Sequence, residues 1–157
     1  MSDELLALAK RLVSNSGKQR PSQTYLKRAV STAYYAVFHA IAKSNADLFL
    51  GVAKSSRSEK AWQQAYRGLQ HGSAKSACTE ALGLNFPAGI KRCATAFVSL
   101  QEKRHSADYD PLFRLKKEDA LDAIGEAKSA IRGLKNAPVK DRRAFAVLLL
   151  FPKRRAS

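Results

Sequence analysis

Four side chains of different chemistry are spaced at helical intervals between residues 28 and 40. On a helix of 3.6 residues per turn, a guanidinium, a hydroxyl, a phenol and an imidazole would lie along one face. These residues are Arg28, Ser31, Tyr35 and His39. The core face of the same helix would consist of Val30, Ala33, Tyr34, Val37 and Ile41. The polar stripe is either a functional surface or a solvated face with one hydrogen-bonded tyrosine.

A second polar cluster lies in the sequence QEKRHSADYDP, residues 101–111. Arg104 and Asp108 are four positions apart, and His105 and Asp108 are three apart, so on one helix these side chains are close enough to interact. Arg104 also continues a seven-residue repeat of apolar positions, which places a cation on an otherwise apolar helix face. The cluster is either a polar site or a structural ion pair at the end of a helix bundle.

Histidine and arginine together suit chemistry at a phosphodiester. Histidine exchanges a proton near neutral pH, and arginine presents a charged fork that matches phosphate oxygens. His105 or His39 could take the proton of a ribose 2′-hydroxyl. Arg104, with Arg28 in support, would stabilise the charge that builds up on phosphorus. This reaction needs no metal ion, and we predict no metal or cofactor, because the sequence has no HExxH, calcium-loop or glycine-rich phosphate-loop motif. His71 is expected to be a surface residue without a partner.

The composition adds a strong positive charge. The 157 residues include 28 Lys and Arg against 13 Asp and Glu, which gives a formal net charge of +15. The charge is spread along the chain, with +7 in residues 1–80 and +8 in residues 81–157. Since contacts with phosphates release counterions, RNA or another nucleotide-bearing polyanion is the expected partner. The alternative is a basic protein with no polyanionic partner.

Other features of the sequence favour a single cytoplasmic domain. The length suits one domain with its own core. Cys78 and Cys93 are far apart in sequence, which favours a reducing compartment. The first residues lack the basic and apolar regions of a secretory signal. No stretch approaches the roughly 20 apolar residues of a transmembrane segment.

Hydrophobic periodicity predicts five helices and no convincing strand before the C-terminal end. The predicted helices are a short one from Ser2, a long one from Pro21 to about Ser44, one after Ser58, one from Ala88, and one over residues 117–136. Glycine, asparagine and proline punctuate residues 71–87. This segment is therefore predicted to be a loop with at most a short helix over residues 74–82.

Long helices with short connections favour an all-α fold, an up-and-down antiparallel bundle of four long helices plus short additional helices. The second and fourth helices can then lie side by side, which would bring the polar stripe to residues 101–111. We predict a bundle over residues 1–137 and a basic C-terminal extension over residues 138–157. The apolar segment 144–151 of this extension would be buried in a groove of the bundle, at a dimer contact or at a membrane surface.

Two motifs stand in order along the chain, RAVSTAYYAVFHA at residues 28–40 and RHSADYDP at residues 104–111. Together they resemble the HEPN domain family, in particular its small stand-alone prokaryotic branch, over residues 22–137. The resemblance implies an all-helical bundle that often forms a homodimer and binds or acts on RNA. Many members are metal-independent ribonucleases in toxin–antitoxin, abortive-infection or CRISPR-linked defence systems, often paired with a small nucleotidyltransferase-like protein.

Catalysis in the HEPN family rests on an arginine followed four to six residues later by a histidine, usually where two copies meet. In this chain the only histidine after Arg104 is the adjacent His105, so the family role carries over to Arg104 alone. The predicted catalytic residues are Arg104, His105 and His39. The predicted nucleic-acid-binding residues are Arg28, Tyr35, Asp108 and Tyr109.

Three kinds of function fit these predictions. The first is an RNA-directed protein of the toxin–antitoxin or defence type, with metal-independent endoribonuclease activity as its reaction. The second is a non-catalytic binding or partner module in which the Arg, His and Asp cluster is structural. The third is an oligomerisation or membrane-edge protein that uses residues 144–151.

Overall fold

The computed structural model describes residues 1–153, which form seven α-helices, one 3-10 turn and no strand. The helices are α1 (Ser2–Ser14), α2 (Gln23–Leu50), α3 (Glu59–Arg67), α4 (His71–Leu82), α5 (Ala88–Tyr109), α6 (Lys117–Asn136) and α7 (Val139–Leu150), with the 3-10 turn at Lys54–Ser56. The all-α prediction is confirmed over these residues. Three helices, α2, α5 and α6, have 20 residues or more, whereas the sequence predicted four long ones.

The central helix is α2, which packs against α1, α3, α5, α6 and α7. It begins after Ser22, whose hydroxyl accepts a hydrogen bond from the Tyr25 amide. It ends at Gly51, whose φ of 96° favours glycine. The helix continues six residues beyond the predicted end near Ser44, because Asn45 and Ala46 are buried and no helix breaker precedes Gly51. All five residues predicted for its core face are buried.

Helices α2 and α5 lie side by side and run antiparallel, as predicted. Lys27, near the start of α2, donates a hydrogen bond to the Asp110 carbonyl just after α5. Farther along α2, the Tyr34 ring packs against Phe97 in the middle of α5, with ring centroids 5.4 Å apart. The predicted juxtaposition of the polar stripe with the C-terminal end of α5 is therefore present.

The short helix that the sequence allowed over residues 74–82 is present, but it begins three residues earlier, so the prediction of a loop over residues 71–73 is wrong. Helix α4 begins at His71, tolerates Gly72 in its first turn and ends at Gly83. Burial against α5 stabilises it, and its buried residues are Ala74, Ala77, Cys78 and Ala81. These small apolar residues recur at helical spacing, so tertiary packing outweighs the low helix propensity of one glycine.

Helix α3 is fixed to α2 through a polar cluster around Asp47. The Trp62 indole N–H donates to Asp47 Oδ1 at 2.9 Å, and Arg57 pairs with the same oxygen at 3.3 Å. The Arg57 guanidinium also lies 4.3 Å from the centre of the Trp62 ring system. Since Trp62 and Tyr66 are four residues apart in α3, this anchoring also positions Tyr66 beside α2.

Helices α5 and α6 approach most closely where Gly89 faces Gly133. A Cβ atom at Gly89 would lie 2.6 Å from the carbonyl oxygen of Gly133, and a Cβ at Gly133 would lie 2.6 Å from that of Gly89. Only glycine at both positions permits this backbone distance.

Most of the predicted apolar segment 144–151 belongs to α7, which packs mainly against α4 and α2 and buries Phe145, Ala146 and Leu149. The Phe145 ring meets Phe86 edge to face, with centroids 6.0 Å apart. These three side chains therefore lie in a groove of their own bundle, whereas Val147 and Phe151 of the same segment are exposed. No helix within residues 1–153 has both the length and the apolar character needed to cross a bilayer. Residues 154–157 of the predicted C-terminal extension lie outside the described residues.

Candidate functional site

Arg104 lies at the centre of a polar and aromatic cluster between α2 and α5. Its position on the inner face of α5 directs the side chain towards α2, where the guanidinium carbon lies 5.1 Å from the Tyr34 ring centroid and 5.9 Å from that of Tyr35. The side chain is only 13% exposed. We refer below to the Arg104 cluster, which consists of Arg104, Tyr34, Tyr35, His39, Tyr66 and His71.

The guanidinium of Arg104 is incompletely satisfied by the protein. Its buried Nε atom has no hydrogen-bond partner among residues 1–153. Its ion pair with Asp108 spans 3.7 Å, which is longer than a hydrogen bond. The same Asp108 oxygen accepts a long hydrogen bond of 3.4 Å from the Ser31 hydroxyl. A largely buried cation with so few partners favours an additional anion.

His71 is a member of this cluster, and the prediction of a surface histidine without a partner is wrong. Its Nδ1 atom and the Tyr34 hydroxyl share a hydrogen bond of 2.5 Å, and its ring stacks on Phe38 with centroids 4.2 Å apart. Gln101 of α5 donates to the His71 carbonyl at 3.1 Å. The start of α4 at His71, which the sequence did not predict, brings the imidazole to α2.

Burial and nearby cations favour the neutral form of His71. Burial lowers the pKa of His71 from its ordinary value of 6.5, and the positive charge of Arg104 and the neighbouring His39 lower it further. Burial raises the pKa of the Tyr34 phenol well above its ordinary value, against the opposing effect of Arg104. At neutral pH this pair therefore consists of a neutral imidazole and a neutral phenol.

His39 is held in the same way by a different helix. Its Nδ1 atom and the Tyr66 hydroxyl of α3 share a hydrogen bond of 2.5 Å, and the two rings stack with centroids 5.8 Å apart. Burial lowers the pKa of His39, and the charge of the chain's amino terminus adds a smaller effect in the same direction. Burial also raises the pKa of Tyr66. The cluster thus contains two imidazoles, each fixed by a tyrosine.

Only some of the residues predicted to form one site lie close together in the structure. Tyr35, His39, Arg104 and Asp108 lie together as predicted. His105 and Tyr109 form a separate, exposed pair next to the cluster, with ring centroids 4.9 Å apart. Arg28 is exposed one turn before Ser31 and forms no side-chain hydrogen bond or ion pair with another residue of the described chain.

Sequence reasoning missed three members of the cluster: Tyr34, Tyr66 and His71. Tyr34 was assigned to the core, which is correct for its ring, but periodicity does not reveal that its hydroxyl has a partner. Tyr66 lies on the predicted third helix, and its position four residues after Trp62 is the one signal that could have suggested it. We find no local signal for His71, since its partners are 30 residues or more away in sequence.

A cleft of about 370 Å³ opens beside the cluster and is lined by residues of α4 and α5. Its lining residues are Lys75, Gln101, Glu102, Arg104, His105 and Ser106. A second cleft, of about 500 Å³, lies near the C-terminal half of α2 and includes no residue of the Arg104 cluster. A ligand in the first cleft would therefore lie against Arg104 and His105.

Neither a search for metal-binding groups nor comparison with known proteins assigns a function to the Arg104 cluster. Within residues 1–153 there is no group of three or more His, Cys, Asp or Glu side chains arranged to hold a metal ion. Comparison with family models, curated proteins and solved structures finds no match to the chain. The resemblance to the HEPN family therefore stays a prediction that rests on the two sequence motifs.

Proposed function

We propose that this protein binds RNA, with the Arg104 cluster as the site that contacts the phosphodiester backbone. The observation that carries the proposal is the state of Arg104: a cation only 13% exposed, with an unpartnered Nε and a single long ion pair. Burying such a group is costly unless charge and hydrogen bonds compensate. A phosphate at the mouth of the cleft would supply the missing negative charge.

The chemistry around Arg104 supports a nucleic acid over a small inorganic anion. The net charge of +15 favours a ligand with many phosphates. His105 and the 68% exposed Tyr109 offer ring faces on which bases can stack, next to the same cleft. We choose RNA over DNA on the HEPN resemblance of residues 28–40 and 104–111.

The same resemblance suggests the biological setting. We propose a HEPN-like helical bundle that forms a homodimer and acts in a toxin–antitoxin or defence system, with a nucleotidyltransferase-like antitoxin as partner. Metal-independent cleavage of RNA is the reaction that fits the two imidazoles of the Arg104 cluster.

A second candidate function is a non-catalytic partner module in which the cluster only joins helices. The contacts of Asp108 favour it, because this carboxylate links Arg104 of its own helix to Ser31 of α2. In that case Arg104 stabilises the bundle and has no ligand.

The salt dependence of RNA binding separates the two candidates. We expect a single-stranded 20-nucleotide RNA to bind at low salt. The logarithm of its association constant should fall linearly with the logarithm of the salt concentration. The slope should be about −0.7 for each phosphate contacted, so three contacts would give about −2. Fluorescence anisotropy between roughly 50 and 200 mM salt measures this slope. No binding at low salt, or an affinity that salt leaves unchanged, would favour the structural candidate.

A further inference from the structure

We propose that His71 and His39 are the base and the acid that cleave RNA bound at Arg104. This inference rests on the proposed function, because it requires RNA at the Arg104 cluster. It assigns the reaction to histidines of α4 and α2, whereas the sequence pointed to His105 of α5 as well as His39.

The two imidazoles are anchored alike. A tyrosine hydroxyl shares a 2.5 Å hydrogen bond with the Nδ1 atom of each, Tyr34 for His71 and Tyr66 for His39. Among the described residues, neither Nε2 atom has a hydrogen-bond partner. When Nδ1 carries its proton and donates to the tyrosine oxygen, Nε2 is free to accept a proton from a substrate.

Both imidazoles and the cation surround a single ring, that of Tyr35. The Tyr35 centroid lies 5.9 Å from that of His71, 6.3 Å from that of His39 and 5.9 Å from the guanidinium carbon of Arg104. Tyr35 is therefore the ring that all three groups share, and we place the phosphodiester beside it. His105 lies outside this arrangement, since its ring packs on the exposed Tyr109.

The chemical step follows from this placement. His71 Nε2 takes the proton of the ribose 2′-hydroxyl, and the 2′-oxygen forms a bond to phosphorus. Arg104 stabilises the negative charge that builds up on the phosphoryl oxygens. The bond from phosphorus to the 5′-oxygen breaks, and this oxygen takes a proton from protonated His39. The products are a 2′,3′-cyclic phosphate and a 5′-hydroxyl, and proton exchange with water restores both histidines.

The surroundings of the two histidines determine the pH at which this reaction is fastest. The groups that face His71 are Tyr34, Tyr35 and His39 from α2, Arg104 from α5, and Lys75 of its own helix, which is paired with Glu102. Those that face His39 are Tyr35 of its own helix, Tyr66 of α3 and the chain's amino terminus. Both histidine pKa values are lowered from 6.5. Since the rate requires one neutral and one protonated histidine, its maximum lies midway between the two pKa values and below pH 6.5.

The test is single-turnover cleavage of a labelled 20-nucleotide RNA in EDTA. The proteins compared are the wild type, H71Q, H39Q and H105Q, and each is also assayed for RNA affinity. We expect H71Q and H39Q to lose about 10²- to 10⁴-fold in rate, a loss far larger than any change in their RNA affinity. A control RNA of the same sequence, with deoxyribose at the position of cleavage, should stay intact. Each substitution should also remove one limb of the bell-shaped pH profile, which a merely structural role would not do.

A second variant covers the case in which H71Q does not fold. Tyr34→Phe keeps the buried ring and removes the hydroxyl that anchors His71, so the cleavage rate should fall by much more than the RNA affinity. Wild-type protein that binds RNA but leaves it uncut would overturn this inference and leave the proposed RNA binding intact. Loss of cleavage in H105Q with normal cleavage in H71Q would also overturn it. Absence of RNA binding by the wild type would overturn both.

Discussion

Replacing Arg104 with alanine is expected to lower the affinity for RNA about 10- to 100-fold at low salt. A hydrogen bond to a charged group contributes about 1.5–3 kcal/mol, and Arg104 is the cation that the cluster leaves least satisfied. The log–log salt slope should also become less steep by about 0.7 for each phosphate contact that is lost. Fluorescence anisotropy with the 20-nucleotide RNA measures both quantities.

Two further variants make the Arg104 result specific. Arg92→Ala removes the same charge from an exposed position nearer the start of α5 and should lower affinity by less than about threefold. Arg104→Lys keeps the charge but loses the planar fork and its stacking on Tyr34 and Tyr35, so its affinity should lie between those of wild type and Arg104→Ala. Circular dichroism melting verifies that each variant is folded. Equal losses in Arg92→Ala and Arg104→Ala would show that total charge, and not this site, determines binding.

Replacing Gly133 with alanine is expected to destabilise the protein by about 3 kcal/mol, near the upper end of the range for overpacked sites. The added Cβ would lie 2.6 Å from the carbonyl oxygen of Gly89, which is backbone in a neighbouring helix and cannot rotate away. Helices α5 and α6 would have to separate, and the buried residues between them would lose contacts. Urea unfolding followed by circular dichroism gives the free energy of unfolding.

Gly125→Ala is the matched control for Gly133→Ala. Gly125 lies in the same helix, and a Cβ there would meet no atom within 4 Å. Because alanine is the better helix former, this variant should be as stable as the wild type or more stable by up to about 1 kcal/mol. If Gly133→Ala unfolded at the same urea concentration as Gly125→Ala, the close packing of α5 on α6 would be refuted.

The features predicted from the sequence are those that depend on local periodicity. Val30, Val37 and Ile41 of α2 recur at helical spacing, and all are buried. Arg104 lies where the seven-residue repeat places it, on the inner face of α5. Both predictions succeed because a helix converts sequence spacing directly into a direction in space.

The features that the sequence did not predict depend on contacts between distant segments. Tyr34 and His71 are 37 positions apart, and His39 and Tyr66 are 27 apart, so no local pattern indicates that they meet. Gly72, a residue that disfavours helix, is also the reason why the sequence did not indicate that α4 begins at His71. His105 differs from these residues: it is adjacent to Arg104 in sequence and borders the same cleft, but its ring packs on Tyr109 and not on the Arg104 cluster. Adjacent residues of a helix differ by about 100° in direction, and His105 is exposed.

The location of the RNA site is tested most directly by photo-crosslinking of a 20-nucleotide RNA that contains 4-thiouridine, followed by peptide mapping. We expect crosslinks in three segments: residues 31–39 of α2, the first turn of α4 and residues 101–109 of α5. Arg104→Ala should reduce all three, and Arg92→Ala should leave them unchanged. Crosslinks confined to the basic C-terminal residues 138–157, unaffected by Arg104→Ala, would contradict the assignment of RNA binding to the Arg104 cluster.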